Sequence, residues 1–211
     1  MKKSLVALLF AVTSVLPVFA ADQGTMEIDV KAGLPLYQEI RLDGYGYGCY
    51  DYDVSQTFSV GADFFYYVDY SVAVGLGIDH ILNSKIKYGP GEHKDKIGYT
   101  NIYFQIKYNF DFDDYGYNNI YPIFQLGYGI LNSDWDTSKC PPGASVDTTN
   151  GLYWGIGVGT TIARYLILEL ICSFNYGEAE FINCYPEPDP NFECDIRGTM
   201  LKFNVGYKFD F

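Results

Sequence analysis

Past residue 20 the chain holds no apolar run near the about 20 residues that a membrane helix needs, yet it alternates apolar and polar residues in eight separate stretches. In the first, Met26–Leu36, Met26, Ile28, Val30, Ala32 and Leu34 share one face, and Glu27, Asp29, Lys31 and Gly33 the other. The same period of two recurs over Gln56–Tyr67, Ser71–Leu82, Gly98–Phe110, Ile120–Ile130, Gly151–Ile162, Leu166–Tyr176 and Thr199–Phe211. Such alternation marks strands with one apolar face. A strand of about 11 residues, tilted near 45°, crosses a hydrocarbon band of about 25 Å. In lipid only a closed barrel pairs every backbone group of a sheet. The expected fold is all-β: an eight-stranded antiparallel up-and-down transmembrane β-barrel, the smallest of its class, its interior filled by side chains. A lipocalin also has eight strands, but its apolar face points inward. Here glycines and charges occupy the face that would have to be that core.

The connections support the same architecture. Long ones, 37–55, 83–97, 131–150 and 177–197, alternate with short ones at 68–70, 111–119 and 163–165. Outer-membrane barrels have short periplasmic turns and long extracellular loops, so the four long connections are expected to face outward and to carry any extracellular ligand. Residues 1–20 read as a secretory signal, and 21–211 as one barrel domain. Lys2 and Lys3 precede an apolar stretch, and Val18-Phe19-Ala20 places cleavage between Ala20 and Ala21. That stretch, broken by Pro17, is short for a membrane span. The 21 tyrosines and 22 glycines fit interfacial girdles and tight β packing. A net charge of −12 makes nucleic acid a poor partner.

The last stretch alternates Thr199, Leu201, Phe203, Val205, Tyr207, Phe209 and Phe211 with polar residues. It resembles the terminal strand of Gram-negative outer-membrane barrels. With the loop alternation and the eight segments, the mature chain is similar to the small outer-membrane barrels that include the OmpA transmembrane domain, OmpX and the opacity proteins. The resemblance implies a cell outer-membrane location in contact with lipid and lipopolysaccharide. It also implies insertion by the barrel-assembly machinery through a signal at Tyr207, Phe209 and Phe211, and a structural or adhesive surface role. A narrow pore or small-hydrophobe transporter of the OmpW kind is the second reading, and a lipid-A-modifying enzyme the third.

Chemistry-bearing motifs are few. Gly155-Ile156-Gly157-Val158-Gly159 lacks the strand-to-helix setting of a phosphate loop and reads as strand glycines making room for side chains from elsewhere. Asp111, Asp113 and Asp114 lack a full calcium ligand set and read as a solvated turn. His80 and Ser84 could form a hydrolytic pair only on one strand face, and Leu82 breaks that pattern. His80 therefore reads as a boundary residue and His93 as a loop residue. No catalytic machinery, cofactor or metal site is expected. Gly44–Asp53 interleaves Tyr with Gly, the chemistry of adaptable contact surfaces. Of five cysteines, Cys172 lies mid-strand on the lipid face. The other four fall in outer loops, where an exported chain can keep disulfides. The expected pairing is Cys184 with Cys194, leaving Cys49 with Cys140.

The inward face collects Glu27, Asp29, Asp63, Asp79 and Glu169 with Lys31, Lys107, Lys202 and Lys208. Unpaired charges in so narrow a space are costly, so a salt-bridge network closing the lumen is expected. Within it Glu169 should meet Lys208 from the neighbouring strand, with Glu27 nearby.

Overall fold

The computed structural model describes residues 24–44, 48–87, 95–112, 117–135, 137, 141–183 and 192–211. Eight antiparallel strands close into a ring: β1 (Met26–Gly44), β3 (Ser59–Tyr67), β4 (Val72–Lys85), β5 (Lys96–Tyr108), β7 (Asn119–Asp134), β9 (Gly151–Ile162), β10 (Leu166–Ile182) and β11 (Phe192–Asp210). β11 pairs with β10 on one side and β1 on the other, which completes the circle. Three short strands sit off it: β2 (Gly48–Asp53) on β1, β6 (Phe110–Asp111) on β7 and β8 (Ser145–Thr149) on β10. Each strand of the ring pairs with its neighbour in chain order, as the alternation of short and long connections requires.

Two turns at the end bearing both strand termini, at 68–71 and 163–165, are tight. Val68 N–H donates to Val72 O at 3.0 Å. Ala163 and Arg164 both adopt positive φ, 49° and 73°, the backbone twist that suits a two-residue hairpin. At the same end Met26 and Phe211 exchange backbone hydrogen bonds of 3.0 and 2.9 Å.

The alternation sorts as expected across the ring. Val30, Phe64, Leu76, Ile102, Phe104, Leu126, Ile156, Leu170, Phe203 and Val205 are exposed on the outer surface, while Glu27, Asp29, Asp63, Lys107 and Glu169 are buried inside. Water would not tolerate so large an apolar girdle on a monomer. A hydrocarbon solvent requires it.

The expected loop boundaries need correction. Much of 37–55, 131–150 and 177–197 is strand: β1 runs to Gly44, β2 follows, β7 runs to Asp134, β8 precedes β9, and β10 runs to Ile182. The wall therefore continues beyond the apolar girdle. There the pattern inverts. On β11, Met200, Ile196 and Cys194 are buried inward while Arg197, Asp195 and Glu193 face out. Above the hydrocarbon the outer solvent is water, so the apolar residues move to the interior. Bulges between Pro35 and Tyr37 on β1, and between Ile81 and Ser84 on β4, shift the inward parity at this level.

Candidate functional site

The lumen is built in layers. At the end that bears the tight turns Lys107, from β5, forms an ion pair with Glu27 of β1 and lies 3.8 Å from Asp29. Its ammonium also sits 3.9 Å from the centre of the Phe65 ring. Tyr67 donates its hydroxyl hydrogen to Glu27 at 2.7 Å. Lys208 of β11 lies 3.6 Å from Glu27 and 3.4 Å from Asp210. Arg164, from the tight turn, reaches Asp210 at 3.4 Å. One layer further in, Lys31 bridges Asp63 and Glu169, the latter at 2.8 Å. Tyr103 donates to Asp63 at 2.9 Å, and Tyr121 and Asn204 donate to Glu169 at 3.1 Å each. Lys202 pairs with Asp79 at 2.6 Å. All nine residues expected in the network are therefore inward and within ion-pair reach of an opposite charge.

One expected partnership is not formed. Glu169 does not meet Lys208. The β10–β11 register sets Glu169 opposite Asn204 and Leu166 opposite Tyr207, so Lys208 lies four positions along its strand from Glu169's partner, about 13 Å away. Lys31, from the far side of β11, takes Glu169 instead. Sequence reasoning also missed Arg164 and Asp210. Asp210 shares the parity of Lys208 and was within reach of that logic, whereas Arg164 sits in a turn and gives no periodic signal.

Above the charges lie neutral polar groups: Gln125 donates to Gln105 at 3.1 Å and accepts from Tyr153 at 2.6 Å. Above these the interior is apolar. Ile40, Val54, Ile81, Ile86, Ile97, Tyr99, Leu131, Ile196 and Met200 pack together, with Trp135, Val146 and Phe181 against them. The expected inward charges fill the lower half, around a small apolar cluster of Phe65, Ala73, Ile123 and Ile171, and do not reach the upper half.

Glycines let this filling happen. A Cβ on Gly159 would collide with the Tyr121 ring, and one on Gly77 with the Tyr103 ring. These are the tyrosines that donate to Glu169 and Asp63, so the glycines make room for the network's donors.

The closed eight-strand ring, the lipid-facing apolar girdle and the charge-paired interior agree with one another, and the sequence adds a direct match. Residues 5–209 fit the family model described as an outer membrane protein beta-barrel domain. The chain belongs to the outer-membrane β-barrel family. Its place is the cell outer membrane, with the girdle in contact with lipid. No curated protein matches it by sequence. Among solved structures it is similar to the outer membrane protein OprG from Pseudomonas aeruginosa, at 15% identity, with 90% of this chain and 98% of that chain covered and a TM-score of 0.61. It is also similar to the outer membrane protein AlkL, solved in DMPC bilayers, at 14% identity, with 94% and 96% covered and a TM-score of 0.54. At such identities the likeness is one of fold.

The remaining candidate residues of this barrel fall as follows. Tyr207 and Phe209 face outward, in a row with Tyr165, at centroid distances of 5.4 Å for Tyr165–Tyr207 and 4.8 Å for Tyr207–Phe209. Phe211 is half exposed beside them. His80 faces outward, its Nδ1 2.9 Å from Thr100 Oγ1. Ser84 is buried on the opposite face, beyond the β4 bulge, and donates to Leu82 O at 3.3 Å. The two do not share a surface. Ala20, Ala21, His93, Asp113, Asp114, Cys140 and Cys184 lie outside the described residues, as does the side chain of Cys49. Cys172 and Cys194 are free thiols, so the expected Cys184–Cys194 link is not formed in this structure. Cys194 stands above the membrane-spanning part of β11, where burial pushes its thiol up to about 11.

Above the girdle the outward face of β8, β10, β11 and β1 carries Asp147, Glu178, Glu180, Glu193, Asp195 and Asp43 around one shallow hollow. Glu178 is directly opposite Asp195, and Glu180 opposite Glu193 and Asp147. Like charges in facing pairs are destabilising. Arg197 relieves part of this, its Nη2 lying 3.5 Å from both Asp195 and Asp43, and the apolar packing behind the wall offsets the rest.

Proposed function

We propose that this barrel is a surface-interaction protein, rooted in the outer membrane and contacting extracellular partners through its outer rim. The observation that carries this reading is the wall itself. Strands β1, β2, β7, β8, β10 and β11 continue past the lipid-facing girdle as a rigid, charged rim over an apolar interior. Rigid elements are better platforms for recognition than loops alone. The ion-pair layer beneath, whose charged side chains are almost fully buried, supports a lumen closed at the periplasmic end. We assign no catalytic role to His80 and Ser84, whose side chains face opposite sides of the wall. The terminal aromatics Tyr207, Phe209 and Phe211 serve as the insertion signal read by the assembly machinery, and residues 1–20 as a cleaved leader. Replacing segments 37–55, 83–97, 131–150 and 177–197 one at a time with short turns, followed by adhesion of whole cells to matrix and to host cells, tests the reading. Loss of adhesion with one or two segments is expected; unchanged adhesion in all four refutes it.

A second reading, transport of small hydrophobic molecules, is favoured by one observation: the apolar outer half of the lumen. Planar-bilayer recording and hydrophobe uptake by cells test it. The closed floor predicts no steady large conductance.

A further inference from the structure

On the outer surface of β4, β5 and β7 the rows of facing residues change chemistry step by step. Leu76, Phe104 and Leu126 stand side by side across the three strands, as do Ile78, Ile102 and Tyr128 one step up, all of them exposed. These rows belong to the lipid-facing girdle. The next row is His80, Thr100 and Ile130. Asn132 lies beside it, and its Nδ2–H donates to Thr100 Oγ1 at 3.1 Å. Thr100 Oγ1 is in turn 2.9 Å from His80 Nδ1. The arrangement that satisfies both bonds gives the Thr100 hydroxyl hydrogen to His80 Nδ1 and leaves the imidazole proton on Nε2, which has no partner among the described residues. The bulge between Ile81 and Ser84 then sets Leu82 and Asn83 against the single residue Gly98. Gly98 gives the Asn83 side chain its place, since a Cβ there would collide with Asn83 Oδ1. Above the bulge Lys85 is opposite Lys96, and Lys96 is opposite Asp134.

We propose that this band is a site for the phosphorylated headgroup of an anionic lipid, one molecule held against β4, β5 and β7. Outer-membrane barrels keep their tight turns on the periplasmic side, which puts the band at the headgroup level of the outer leaflet. Like charges in facing pairs are destabilising, and Lys85 faces Lys96. Asp134 holds Lys96 at 3.2 Å and leaves Lys85 with no carboxylate among the described residues. Lys87, further out, has Asp53 beside it, its amide donating to the Asp53 carbonyl at 2.9 Å. A phosphate seated on Lys85 and Lys96 relieves their repulsion. Beneath it the His80 Nε2–H and the Asn83 amide are donors for the remaining phosphate oxygens or for the ester carbonyls of the lipid. The acyl chains then run down over Ile78, Ile102, Leu76 and Phe104. A free phosphate gains nothing from those apolar rows, so the ligand is a lipid. Across the ring, β10 and β11 expose Glu178, Glu180, Glu193 and Asp195, which repel the same headgroup. The site therefore belongs to one side of the barrel, and it stands apart from the surface-contact reading.

The test uses the full chain, its histidines labelled with nitrogen-15, in phosphatidylcholine nanodiscs into which phosphatidic acid is titrated from trace amounts upward. The chain has two histidines, and His93→Gln leaves His80 as the one signal. Phosphatidic acid is expected to shift the His80 Nε2 resonance to saturation. Lys85→Gln combined with Lys96→Gln should raise the amount needed by roughly tenfold. Arg41→Gln combined with Arg197→Gln removes the same charge from the outward face of β1 and β11, and should leave the titration unchanged. These four residues are exposed or half-exposed, so both double variants should stay folded and heat-modifiable. Inorganic phosphate added to plain phosphatidylcholine discs should give no shift. Three results overturn the site. An indifferent His80 signal would mean that no headgroup reaches the band. Equal weakening by the arginine and lysine variants would mean general charge attraction, and a full shift with inorganic phosphate would mean that the lipid is not needed.

Discussion

Replacing Lys31 with methionine removes one charge from the centre of the lumen while keeping its length and packing. Lys31 holds both Asp63 and Glu169, with 5% of its side chain exposed and the two acids at 0% and 1%. Breaking a buried ion pair by deleting one partner costs about 3–5 kcal/mol. Two orphaned carboxylates push towards the upper figure. Their remaining donors, Tyr103 on Asp63 and Tyr121 and Asn204 on Glu169, push towards the lower, so the expected loss is about 3 kcal/mol. Lys208→Met is the internal control. Glu27 keeps Lys107 and Tyr67, and Asp210 keeps Arg164, so its expected loss is about 1 kcal/mol. The gap of about 2 kcal/mol corresponds to roughly a 30-fold difference in unfolding equilibrium constant. Urea unfolding in phospholipid vesicles, followed by tryptophan emission and by electrophoretic mobility without boiling, measures both. Lys31→Met/Glu169→Gln should recover about 1–2 kcal/mol of the loss, since one stranded charge is gone. If Lys31→Met is no worse than Lys208→Met, the ion-pair account of the closed lumen is wrong.

Three further outcomes are expected. Deleting Phe211 removes a terminal aromatic and two backbone hydrogen bonds to Met26, and should lower the surface level of protein in cells; wild-type levels would remove the terminus from the insertion signal. Gly159→Val drives a side chain into the Tyr121 ring and should destabilise the barrel by about 1–3 kcal/mol in the same urea assay, whereas an unchanged midpoint would mean the ring can move aside freely. Peptide mapping of exported protein under non-reducing conditions should recover Cys194 as a free thiol, as its place inside the upper wall requires; a Cys184–Cys194 link contradicts that placement.

The inward charges were legible because a strand's side-chain period is two, so parity alone places Lys31, Asp63, Lys107 and Glu169 on one face. Which charge meets which was not. That depends on the stagger between neighbouring strands, set by the tilt that closes the barrel, and Glu169 falls opposite Asn204 because β10 and β11 are offset by it. The outer extensions were illegible for a different reason. A reading that follows apolar residues outward stops when the outward face becomes charged, at Glu39, Arg41 and Asp43 on β1. The bulge at Leu36 then moves the buried set from odd to even positions, so that Gln38 and Ile40 are inside where Lys31 and Gly33 had been. Period two persists on each side of the bulge, but its phase and its chemistry both change. Arg164 lay in a turn, where no period operates.

The phase change also explains why recognition can be carried by the rim. Within the membrane, the outward side chains stay in contact with a solvent as apolar as themselves, so stability there depends on satisfying inward polar groups one by one. Above the membrane the logic is that of a water-soluble barrel: burying side chains such as Ile40, Ile81, Ile97 and Ile196 contributes about 1.5–3 kcal/mol each. That apolar packing lies behind the wall and does not involve the outward residues. Asp147, Glu178, Glu180 and Asp195 can therefore sit in repulsive facing pairs, at a cost of about 0.2–1 kcal/mol per pair, without unfolding the strands that present them. A purely structural wall gains nothing from such pairs, since alternating charges would be both more stable and equally soluble. Their retention on the rim fits the surface-contact reading proposed above, in which a cationic partner would relieve the repulsion.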